Sequence, residues 1–403
     1  MLGKDYIKVN NDISHLNIPY SVISEILDNK DLHKTIIEII EFIKVNKIGF
    51  PYKRHFMEKP EYYYNNIFDL DLSLASKEYR FKNIIPKMGF ELFEKIFDYR
   101  YKGEYLYIRD SYETYEKINI LTDFFTEKPR VESKGHGEQQ SPMELWHKNK
   151  YKIIREVIKK KQDVTCFNLR EMIYKLVVEA RMGKISQYIT LYKFFKAKRI
   201  LDPSCAWGDR LIAAIAYNAD YYLGIDPNTD LVPGHKEIIE RFAPVSKNKF
   251  EIIYKPFEDV DLKKYKFDFI LSSPAPFEGD YYGNREGQST ENYQTFEDWF
   301  TSYMYVTCVN SYNVLDDKGY FLITVLDRLY PKPYAIVELL LLTIIYSCPK
   351  MFYRGVIGWE ASKGKVVPFW VFQRQEKIDY KDKLKLAGEA LKNYYPEIFK
   401  KIK

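Results

Sequence analysis

The chain has 403 residues and a formal net charge of +6, and 46% of its residues are hydrophobic. That length predicts two domains, and the first residues lack the basic and apolar regions of a secretion signal. The longest apolar run, residues 335–346, contains Glu338 and is too short to span a bilayer, so it predicts a buried helix. The four cysteines show no CxxC or Cys/His spacing, which predicts neither disulfides nor a metal site. We therefore expect an intracellular protein, in the cytoplasm, in the nucleus or at a viral replication site, that is neither secreted nor bound to a membrane.

The positive charge is concentrated in one segment. Residues 141–200 contain 15 Lys and Arg against 5 Asp and Glu, whereas acidic residues outnumber basic ones both before and after this segment. Such a concentration is typical of a surface that binds a polyanion, and Lys159, Lys160 and Lys161 form its longest unbroken run. The alternative is a solvated helix face in a lysine-rich chain. We expect nucleic acid, DNA or RNA, as the partner.

The first 140 residues are predicted to form an N-terminal accessory domain, mixed or helical, to which the sequence assigns no role. Apolar spacing predicts helices over residues 21–27 and 35–43. Ser141, Pro142 and Glu144 supply the cap, the first-turn proline and the acid of a helix start. Residues 141–200 are therefore predicted to form a basic helical segment.

From residue 199 onward, predicted strands alternate with predicted helices. The strands cover residues 199–202, 221–226, 250–254, 267–272 and 319–326, and the helices cover 210–217, 231–242, 295–314 and 334–347. Residues 352–359 and 366–374 are predicted to form a C-terminal antiparallel hairpin. This order predicts an α/β fold over residues 201–375 with a Rossmann-like, mostly parallel sheet, followed by a polar helical tail over 376–403.

Three of the predicted strands end in residues that suit a nucleotide-like ligand. The first leads through Asp202 and Ser204 into a tight turn at Gly208 that opens a helix. The second ends at Asp226, whose carboxylate can accept hydrogen bonds from both hydroxyls of a ribose. The third ends in the loop 273–277, Ser-Pro-Ala-Pro-Phe. Each feature alone is common in ordinary turns and caps, but their order and spacing together favour a ligand site.

These three sites resemble the class I S-adenosylmethionine-dependent methyltransferases, in the branch that methylates exocyclic amines of nucleobases. The resemblance covers residues 141–374. Family members carry Asp-Pro-(Phe/Ser)-x-Gly-x-Gly at the first site, often extended to Gly-Trp-Gly-Asp-Arg, where residues 206–210 of this chain are Ala-Trp-Gly-Asp-Arg. At the third site they carry (Asp/Asn/Ser)-Pro-Pro-aromatic, where residues 273–276 are Ser-Pro-Ala-Pro.

The resemblance implies S-adenosyl-L-methionine as the cofactor. The cofactor-binding residues that it implies are Asp202, Ser204, Ala206, Gly208, Asp226, Phe257, Glu258 and Asp259. Ala206 replaces a family glycine, and its methyl group would crowd the cofactor or resist a positive φ angle. Either Glu258 or Asp259 is expected to accept a hydrogen bond from the adenine amino group, and the sequence leaves the choice open. The family's contacts upstream of the first motif make Asp123, Glu127 and Arg130 further candidates.

The resemblance also implies a base-binding site at the third loop. Ser273 and the carbonyl of Pro274 are expected to accept hydrogen bonds from the target amine while an aromatic ring stacks on the base. Because Pro276 occupies the aromatic position, either the loop shifts its register so that Phe277 stacks in its place, or the contact that clamps the base is lost. Tyr281 and Tyr282 lie in a polar loop that is expected to enclose the nucleic-acid substrate.

Three functions are compatible with the sequence. The first is methylation of an adenine or cytosine amine in DNA or RNA. The second is a catalytically inactive methyltransferase-like subunit that binds nucleic acid and supports a partner protein or a second copy of itself. It is considered because the two departures from the family motifs, at Ala206 and at Ala275-Pro276, fall at the cofactor turn and at the base-binding loop. The third is methylation of a small molecule or a protein on the same fold, which the basic segment disfavours.

Overall fold

The computed structural model of the chain describes residues 2–10, 13–70, 74–80, 84–97, 102–108, 114–279, 281–282, 287–329, 332–362, 365–375 and 381–403. By their internal contacts, the described residues divide into two compact units. The first unit comprises Met1–Asn66, Ile120–Met182 and Glu278–Asn284, and the second comprises Ile67–Asn119, Gly183–Phe277 and Arg285–Lys403.

The strands, numbered in chain order, are β1 (Ile7–Asn10), β2 (Ile13–Ile18), β3 (Leu74–Arg80), β4 (Lys102–Ile108), β5 (Val164–Thr165), β6 (Arg199–Asp202), β7 (Tyr221–Ile225), β8 (Phe250–Ile253), β9 (Phe267–Ser272), β10 (Leu315–Ile323), β11 (Met351–Ser362) and β12 (Lys365–Arg374). The α-helices are α1 (Tyr20–Asn29), α2 (Leu32–Val45), α3 (Pro60–Asn66), α4 (Phe90–Phe97), α5 (Leu121–Glu132), α6 (Pro142–Lys159), α7 (Cys166–Leu176), α8 (Ile185–Phe195), α9 (Asp209–Tyr217), α10 (Val232–Phe242), α11 (Ser289–Asn292), α12 (Phe296–Asp298), α13 (Tyr305–Val314), α14 (Ile336–Ser347), α15 (Lys381–Tyr394) and α16 (Pro396–Ile402).

Helix α6 of the first unit begins where the sequence predicts. The Ser141 hydroxyl accepts from the backbone N–H of Glu144 at 3.1 Å, and the Glu144 carboxylate accepts from the backbone N–H of Ser141 at 2.8 Å. With Pro142 in the first turn, this is a complete capping box, which satisfies backbone groups that a helix start otherwise leaves unpaired.

The core of the first unit is built on helical faces. Ile36, Ile39 and Ile43 recur along one side of α2 and are buried together with Trp146 and Ile153 of α6. This spacing of three and four residues places the apolar side chains of α2 on one stripe. Within the described part of this unit, β1, β2 and β5 form a small antiparallel sheet beside the helices.

The second unit is organised around one large sheet. Within its described residues, nine strands pair in the order β3-β4-β11-β12-β10-β9-β6-β7-β8. The pairs β4–β11, β10–β9, β9–β6, β6–β7 and β7–β8 are parallel, whereas β12 is antiparallel to both β10 and β11. The predicted α/β class with a large, mostly parallel sheet is confirmed. Ile200 and Leu201 of β6, an interior strand with parallel neighbours on both sides, are fully buried, as is typical of parallel strands.

The division into units differs from the predicted boundary at residue 140. Strands β3 and β4 come from the first 140 residues, yet β4 pairs with β11 and extends the edge of the large sheet. The tyrosine-rich sequence around these strands has no clean apolar period, so their pairing was not visible in it. The basic segment 141–200 is likewise divided, between residues 182 and 183.

The C-terminal helices also belong to the second unit. Ala387 and Leu391 of α15 and Ile398 of α16 are buried in its core. The Tyr395 hydroxyl donates to the carboxylate of Glu338 in α14. The predicted helical tail is therefore packed against the fold. Among the described residues, no helix combines the length and the apolarity that crossing a membrane requires.

The sheet brings the predicted motifs to one edge. The chain proceeds from β6 to β7 and β8 on one side, whereas β9 and β10 lie on the other side of β6. The carboxyl ends of β6, β7, β8 and β9 therefore lie next to one another, and the strand order reverses at β6. In open α/β sheets, a reversal of this kind opens a crevice that binds ligands.

Candidate active site

The loop after β6 is held by a buried ion pair. Arg210 donates from Nε to Oδ2 of Asp202 at 2.6 Å, and the Tyr222 hydroxyl donates to the same oxygen at 2.7 Å. The Arg210 guanidinium also donates to the carbonyl of Ser204 and to the Tyr188 hydroxyl, the latter at 3.3 Å. Asp202 therefore orders the turn from within, and Arg210, which we did not predict as a site residue, is its partner.

Ala206 adopts a left-handed backbone conformation, although its methyl group disfavours a positive φ angle. Its φ angle is +44°, in the region that favours glycine. Its N–H donates to Oδ2 of Asp226 at 2.9 Å, and its carbonyl lies 2.9 Å from Nε2 of His235. The strained backbone is thus fixed on both sides, since strain of about 1–3 kcal/mol persists only where the surroundings determine the conformation.

His235 is neutral and has a defined tautomer. Burial lowers its pKa to about 4. A carbonyl only accepts, so Nε2 carries the proton that bonds to Ala206, and Nδ1 accepts from the Tyr254 hydroxyl at 3.1 Å. The two rings also stack, with centroids 6.0 Å apart. No local signal in the sequence indicated this role of His235.

Gly208 provides the second left-handed residue of the turn, at φ +99°. A Cβ atom at this position would lie 3.0 Å from Cδ1 of Ile238 and 3.1 Å from Cδ2 of His235. The turn therefore requires glycine here for both its conformation and its close approach to α10.

Asp226 lies half-buried directly after the end of β7, at the sheet edge where the strand order reverses. Oδ2 accepts from Ala206 N–H, and Oδ1 accepts from the N–H of Asn228 at 2.9 Å. Burial raises the pKa of this carboxyl to about 6, against the opposing effect of the two backbone hydrogen bonds. Each oxygen of an ionised carboxylate has a further lone pair, so both can still accept from a ligand hydroxyl.

Ser204 joins the first loop to the third. The backbone N–H of Ser273 donates to the Ser204 hydroxyl at 3.2 Å, and that hydroxyl lies 3.4 Å from the hydroxyl of Ser272. Farther along, the N–H of Ala275 donates to the Tyr303 hydroxyl at 3.1 Å. The predicted acceptor residues Ser273 and Pro274 are thus held beside the first motif.

Phe277 does not present an open ring. It is only 6% exposed, and its ring centroid lies 5.6 Å from that of Phe296, 5.7 Å from Trp299 and 5.5 Å from Tyr334. The expectation that Phe277 replaces the missing stacking residue disagrees with this placement, because an aromatic cluster encloses the side chain. Pro276, its neighbour, is exposed.

The residues after β8 divide into a core residue and two acids. Phe257 is 2% exposed and belongs to the apolar core, so it does not offer a face to an adenine ring. Asp259 is exposed, whereas Glu258 is half-buried and accepts from the Tyr293 hydroxyl. Burial raises the pKa of Glu258. Of the two acids, Glu258 lies in the more enclosed environment.

The segment 287–293 passes directly over the ends of β7 and β8. A Cβ atom on Gly287 would lie 2.9 Å from Cγ of Pro256 and 3.2 Å from Cβ of Pro227. Tyr293, at the far end of the segment, stacks on Tyr303 with centroids 6.3 Å apart. Residues 288–290 belong to the polar loop that was expected from the sequence to enclose the substrate. The contacts of Gly287 with Pro227 and Pro256, and the role of Tyr293, were not predicted, because only the fold forms them.

The upstream candidates Asp123, Glu127 and Arg130 form a buried ion cluster in the first unit. Arg130 donates from Nε to Asp123 at 2.8 Å and from Nη1 to Glu179 at 2.5 Å. Arg170 donates to Glu127 at 2.8 Å and also to Glu179. These charges are satisfied by one another, so the cluster has the features of a structural element, and the expectation of cofactor contacts from it is not supported.

The predicted nucleic-acid residues also belong to the first unit. Lys159, Lys160 and Lys161 are exposed where α6 ends, although Lys159 lies 3.6 Å from Glu156. Tyr281 forms a backbone bridge with Lys134, whose ammonium lies 5.5 Å from the tyrosine ring.

Tyr281 and its neighbour Tyr282 are half-buried. The backbone bridge consists of two hydrogen bonds, one from Lys134 N–H at 2.7 Å and one from Tyr281 N–H at 3.0 Å. Residues 280 and 283–286 of the same loop lie outside the described residues. The loop that was expected to enclose the substrate is therefore tied to residue 134.

No protein-family profile matches the sequence, and no curated protein matches it. Several solved methyltransferases resemble part of the fold. TrmN from Thermus thermophilus is 14% identical with a TM-score of 0.34, over 48% of this chain and 49% of that chain. NodS from Bradyrhizobium japonicum WM9, an N-methyltransferase, is 11% identical with a TM-score of 0.34, over 48% of this chain and 94% of that chain. MtfA, a glycopeptide N-methyltransferase, is 9% identical with a TM-score of 0.33, over 47% of this chain and 95% of that chain. The likeness thus spans about half the length of TrmN. The substrates named for these three proteins are not transferred to this chain.

Proposed function

We propose that the second unit binds S-adenosyl-L-methionine and transfers its methyl group to an exocyclic amine of a base in DNA or RNA. The observation that carries the proposal is the contact between Ala206 N–H and the carboxylate of Asp226 across the ends of β6 and β7. It joins the glycine turn of the first motif to the acid of the second, at the edge where the strand order reverses.

The residues at this edge fit the cofactor. Asp226 is half-buried and retains acceptor capacity on both oxygens for a ribose. The glycine at 208 lets the backbone of the turn approach a ligand closely. Glu258 offers a carboxylate for the adenine amino group. When bound, the cofactor supplies an electrophilic methyl group on a sulfonium.

The chain's own part in the reaction is to bind and orient the amine. An exocyclic amine has its lone pair delocalised into the ring, so acceptors for its N–H groups help the nitrogen to become pyramidal. Ser273 and the carbonyl of Pro274 are the acceptors that the family pattern assigns to this role. The hydrogen bonds from Ser273 to Ser204 and from Ala275 to Tyr303 fix the loop that carries them.

The nucleic-acid substrate is supported by the charge of the chain. Lys159, Lys160 and Lys161 are exposed, and they stand in the segment that holds the positive excess of the sequence. Replacing all three with glutamate should reduce the slope of log affinity against log salt by up to about three units on duplex DNA, one for each lost phosphate contact. An unchanged slope would assign these lysines to a solvated helix face.

Two measurements test the proposal in sequence. Calorimetric titration with S-adenosylhomocysteine should show binding, and Asp226→Ala should weaken that binding at least about tenfold, because the ribose loses a charged acceptor. Transfer of a tritiated methyl group to mixed DNA and RNA should then yield labelled product. Absence of binding by the parent protein would refute the cofactor assignment.

A second function is an inactive methyltransferase-like subunit that binds nucleic acid and supports a partner protein. The enclosure of Phe277 among Phe296, Trp299 and Tyr334 favours it, because no aromatic ring of the third motif is then open to a base. Binding of both S-adenosylhomocysteine and nucleic acid without product on any polynucleotide would select this function.

A further inference from the structure

The loop 273–277 has a single backbone donor between its two prolines. Pro274 and Pro276 lack a backbone N–H, so Ala275 supplies the only one in residues 274–276. That N–H donates to the hydroxyl of Tyr303 at 3.1 Å. The sole backbone donor of this stretch is therefore bound to one side chain of the second unit.

This hydrogen bond fixes the peptide plane between Pro274 and Ala275. The residue that follows the bond is not proline, so the bond is trans and its C=O and N–H point in opposite directions. The ring of Pro274 fixes its own φ angle, which leaves rotation of this plane as the main freedom of the Pro274 carbonyl. By binding the N–H of Ala275, Tyr303 sets the direction of that carbonyl, on the opposite edge of the plane.

The Tyr303 side chain is itself held in place. It is only 8% exposed, and its ring stacks on Tyr293 with centroids 6.3 Å and planes 19° apart. The Trp299 ring lies 6.2 Å away on another side. Tyr303 belongs to the π-helical segment Trp299–Met304 between α12 and α13. Segments of this kind are rare and are frequent at functional sites, and an enclosed ring in one of them can hold a loop in one position.

The same tyrosine lies beside the acids proposed for the cofactor. Its stacking partner, Tyr293, donates to Oε1 of Glu258. Burial raises the pKa of Tyr303 against the hydrogen bond from Ala275, and the charges of Glu258 and Asp226 raise it further. The hydroxyl is therefore protonated at neutral pH. It stands where the loop that carries the amine acceptors meets the cofactor-binding edge.

We propose that Tyr303 is a positioning residue for methyl transfer, whose hydroxyl holds the Pro274 carbonyl in the direction that accepts the target amine. The inference rests on the proposed function, since only there does this carbonyl bind an amine. Tyr303 acts through the peptide of Ala275 and exchanges no proton with the substrate. It replaces, with a side-chain hydrogen bond, the stiffness that a proline at 275 would give the loop.

The test measures transfer of a tritiated methyl group from S-adenosylmethionine to polynucleotide by the full chain. Tyr303→Phe removes the hydroxyl and keeps the ring. Its kcat should fall about ten- to a hundredfold, because the acceptor is then misdirected. The KM for polynucleotide and the calorimetric affinity for S-adenosylhomocysteine should stay within about twofold, because neither binding surface changes. Tyr305→Phe, which removes a hydroxyl bound to the carbonyl of Ile402, is the matched control and should behave as the parent does.

A double-mutant cycle separates this role from packing. Ala275→Pro removes the N–H and stiffens the loop by its ring, so the Tyr303 hydroxyl has no donor to hold. Tyr303→Phe should therefore cost no further turnover when Ala275→Pro is already present. If Tyr303 only supports the core, Tyr303→Phe should lower turnover equally in both backgrounds. Denaturation in urea shows which variants are folded.

The outcomes distinguish this inference from the proposed function. Parent-like turnover in folded Tyr303→Phe, or equal losses in both backgrounds, would overturn the inference and leave methyl transfer intact. A loss of S-adenosylhomocysteine affinity in Tyr303→Phe would assign the hydroxyl to the cofactor and overturn it too. A parent protein without turnover on any polynucleotide would refute methyl transfer itself, and the inference with it.

Discussion

The backbone N–H of Ala206 donates to Oδ2 of Asp226 at 2.9 Å, and the carbonyl of the same alanine is held by His235 at 2.9 Å. The first contact binds the loop after β6 to the end of β7, and the second binds it to α10. Because a backbone N–H of the first motif holds the carboxylate of the second, the conformations of the two motifs are coupled. Changes at either residue should therefore alter ligand binding through the other.

Asp226 should make cofactor binding depend on pH. Burial raises its pKa to about 6 from an ordinary value of 3.8. The folded protein therefore binds more protons than the unfolded chain between these values, so this group makes stability fall as the pH rises through that window. Ligand binding has the opposite sign, because only the ionised carboxylate accepts freely on both oxygens.

We expect the affinity for S-adenosylhomocysteine to fall when the pH is lowered from about 7 to about 5, measured by calorimetry. Asp226→Asn should bind more weakly and lose this pH dependence, since its amide NH₂ would face a backbone N–H donor. Asp220→Asn, an exposed acid, serves as the control. A pH profile that persists in Asp226→Asn would contradict the assignment.

Ala206→Gly should tighten cofactor binding. The substitution removes a methyl group beside the ligand, and relief of about 1 kcal/mol of crowding corresponds to up to about fivefold in affinity. It also relieves a φ angle of +44°, which should raise the stability of the folded protein by about 1 kcal/mol and not its affinity. Ala214→Gly is the matched control, because this alanine is buried inside α9 and glycine there should destabilise the protein by about 1 kcal/mol. Unchanged affinity in Ala206→Gly would mean that the turn has adapted to alanine.

Glu258 should recognise the adenine amino group. Tyr293 donates to its Oε1, which leaves Oε2 for a ligand donor. The parent protein should therefore prefer S-adenosylhomocysteine to the inosine analogue, which lacks the amino group. Glu258→Gln should reduce that preference about tenfold, because a hydrogen bond to a charged acceptor is lost.

Tyr293→Phe and Asp259→Asn distinguish the residue that orients Glu258 from the acid that recognises the adenine amino group. Tyr293→Phe should weaken binding of both ligands while keeping part of the preference, since it removes only the group that holds Glu258. Asp259→Asn should behave as the parent does, because Asp259 is exposed. A preference abolished by Asp259→Asn alone would assign the role to the other acid.

Arg130→Met should destabilise the first unit without weakening the cofactor complex. Removing this guanidinium leaves Asp123 and Glu179 buried with less compensation, which costs about 3–5 kcal/mol. Arg241→Met, in an exposed pair with Glu237, should cost less than about 1 kcal/mol. Denaturation in urea measures the stability of each variant, and calorimetric titration with S-adenosylhomocysteine measures its affinity for the cofactor product. A loss of cofactor affinity in folded Arg130→Met would restore the role that the sequence suggested.

The same cluster should give acid sensitivity. Burial alone would raise the pKa of Asp123, but Arg130 and Lys53 outweigh it and hold the pKa below its ordinary value. A lowered carboxyl pKa contributes stability that is present above the unfolded value and is lost as the pH falls. Arg130→Met should therefore flatten the decrease in stability of this unit in acid.

The sequence predicted those parts of the fold that depend on local patterns. Strands β6 and β9 begin and end at the predicted residues, and Ser141 caps α6, because apolar runs and cap residues act over a few positions. The pairing of β4 with β11 joins residues about 250 apart in the chain, and no local pattern records it.

The candidate site divides in the same way. Asp202, Gly208 and Asp226 lie within motifs, and their positions could be predicted. His235 and Tyr293 reach the site only through the packing of α10 and of the segment 287–293. At Phe277 the sequence suggested a stacking residue because an aromatic side chain follows the motif, but the structure places this side chain in the core.

Phe277 provides the sharpest test of the base-binding loop. Phe277→Ala should destabilise the second unit by about 3–5 kcal/mol, because it leaves a cavity among Phe296, Trp299 and Tyr334. That variant alone cannot separate packing from stacking, so Phe277→Leu is the decisive change. Leucine keeps most of the buried apolar volume but has no ring for a base.

If the ring serves the core, Phe277→Leu should retain both cofactor affinity and any turnover on oligonucleotides. If the ring stacks on the base, turnover should fall about five- to a hundredfold with cofactor affinity unchanged, since base stacking contributes about 1–3 kcal/mol. Pro276 is exposed, so Pro276→Phe would supply the missing ring and should raise the turnover of an active enzyme. Loss of turnover in Phe277→Leu would show that the enclosed ring moves out to the substrate. Absence of turnover in the parent and in Pro276→Phe would select the inactive subunit.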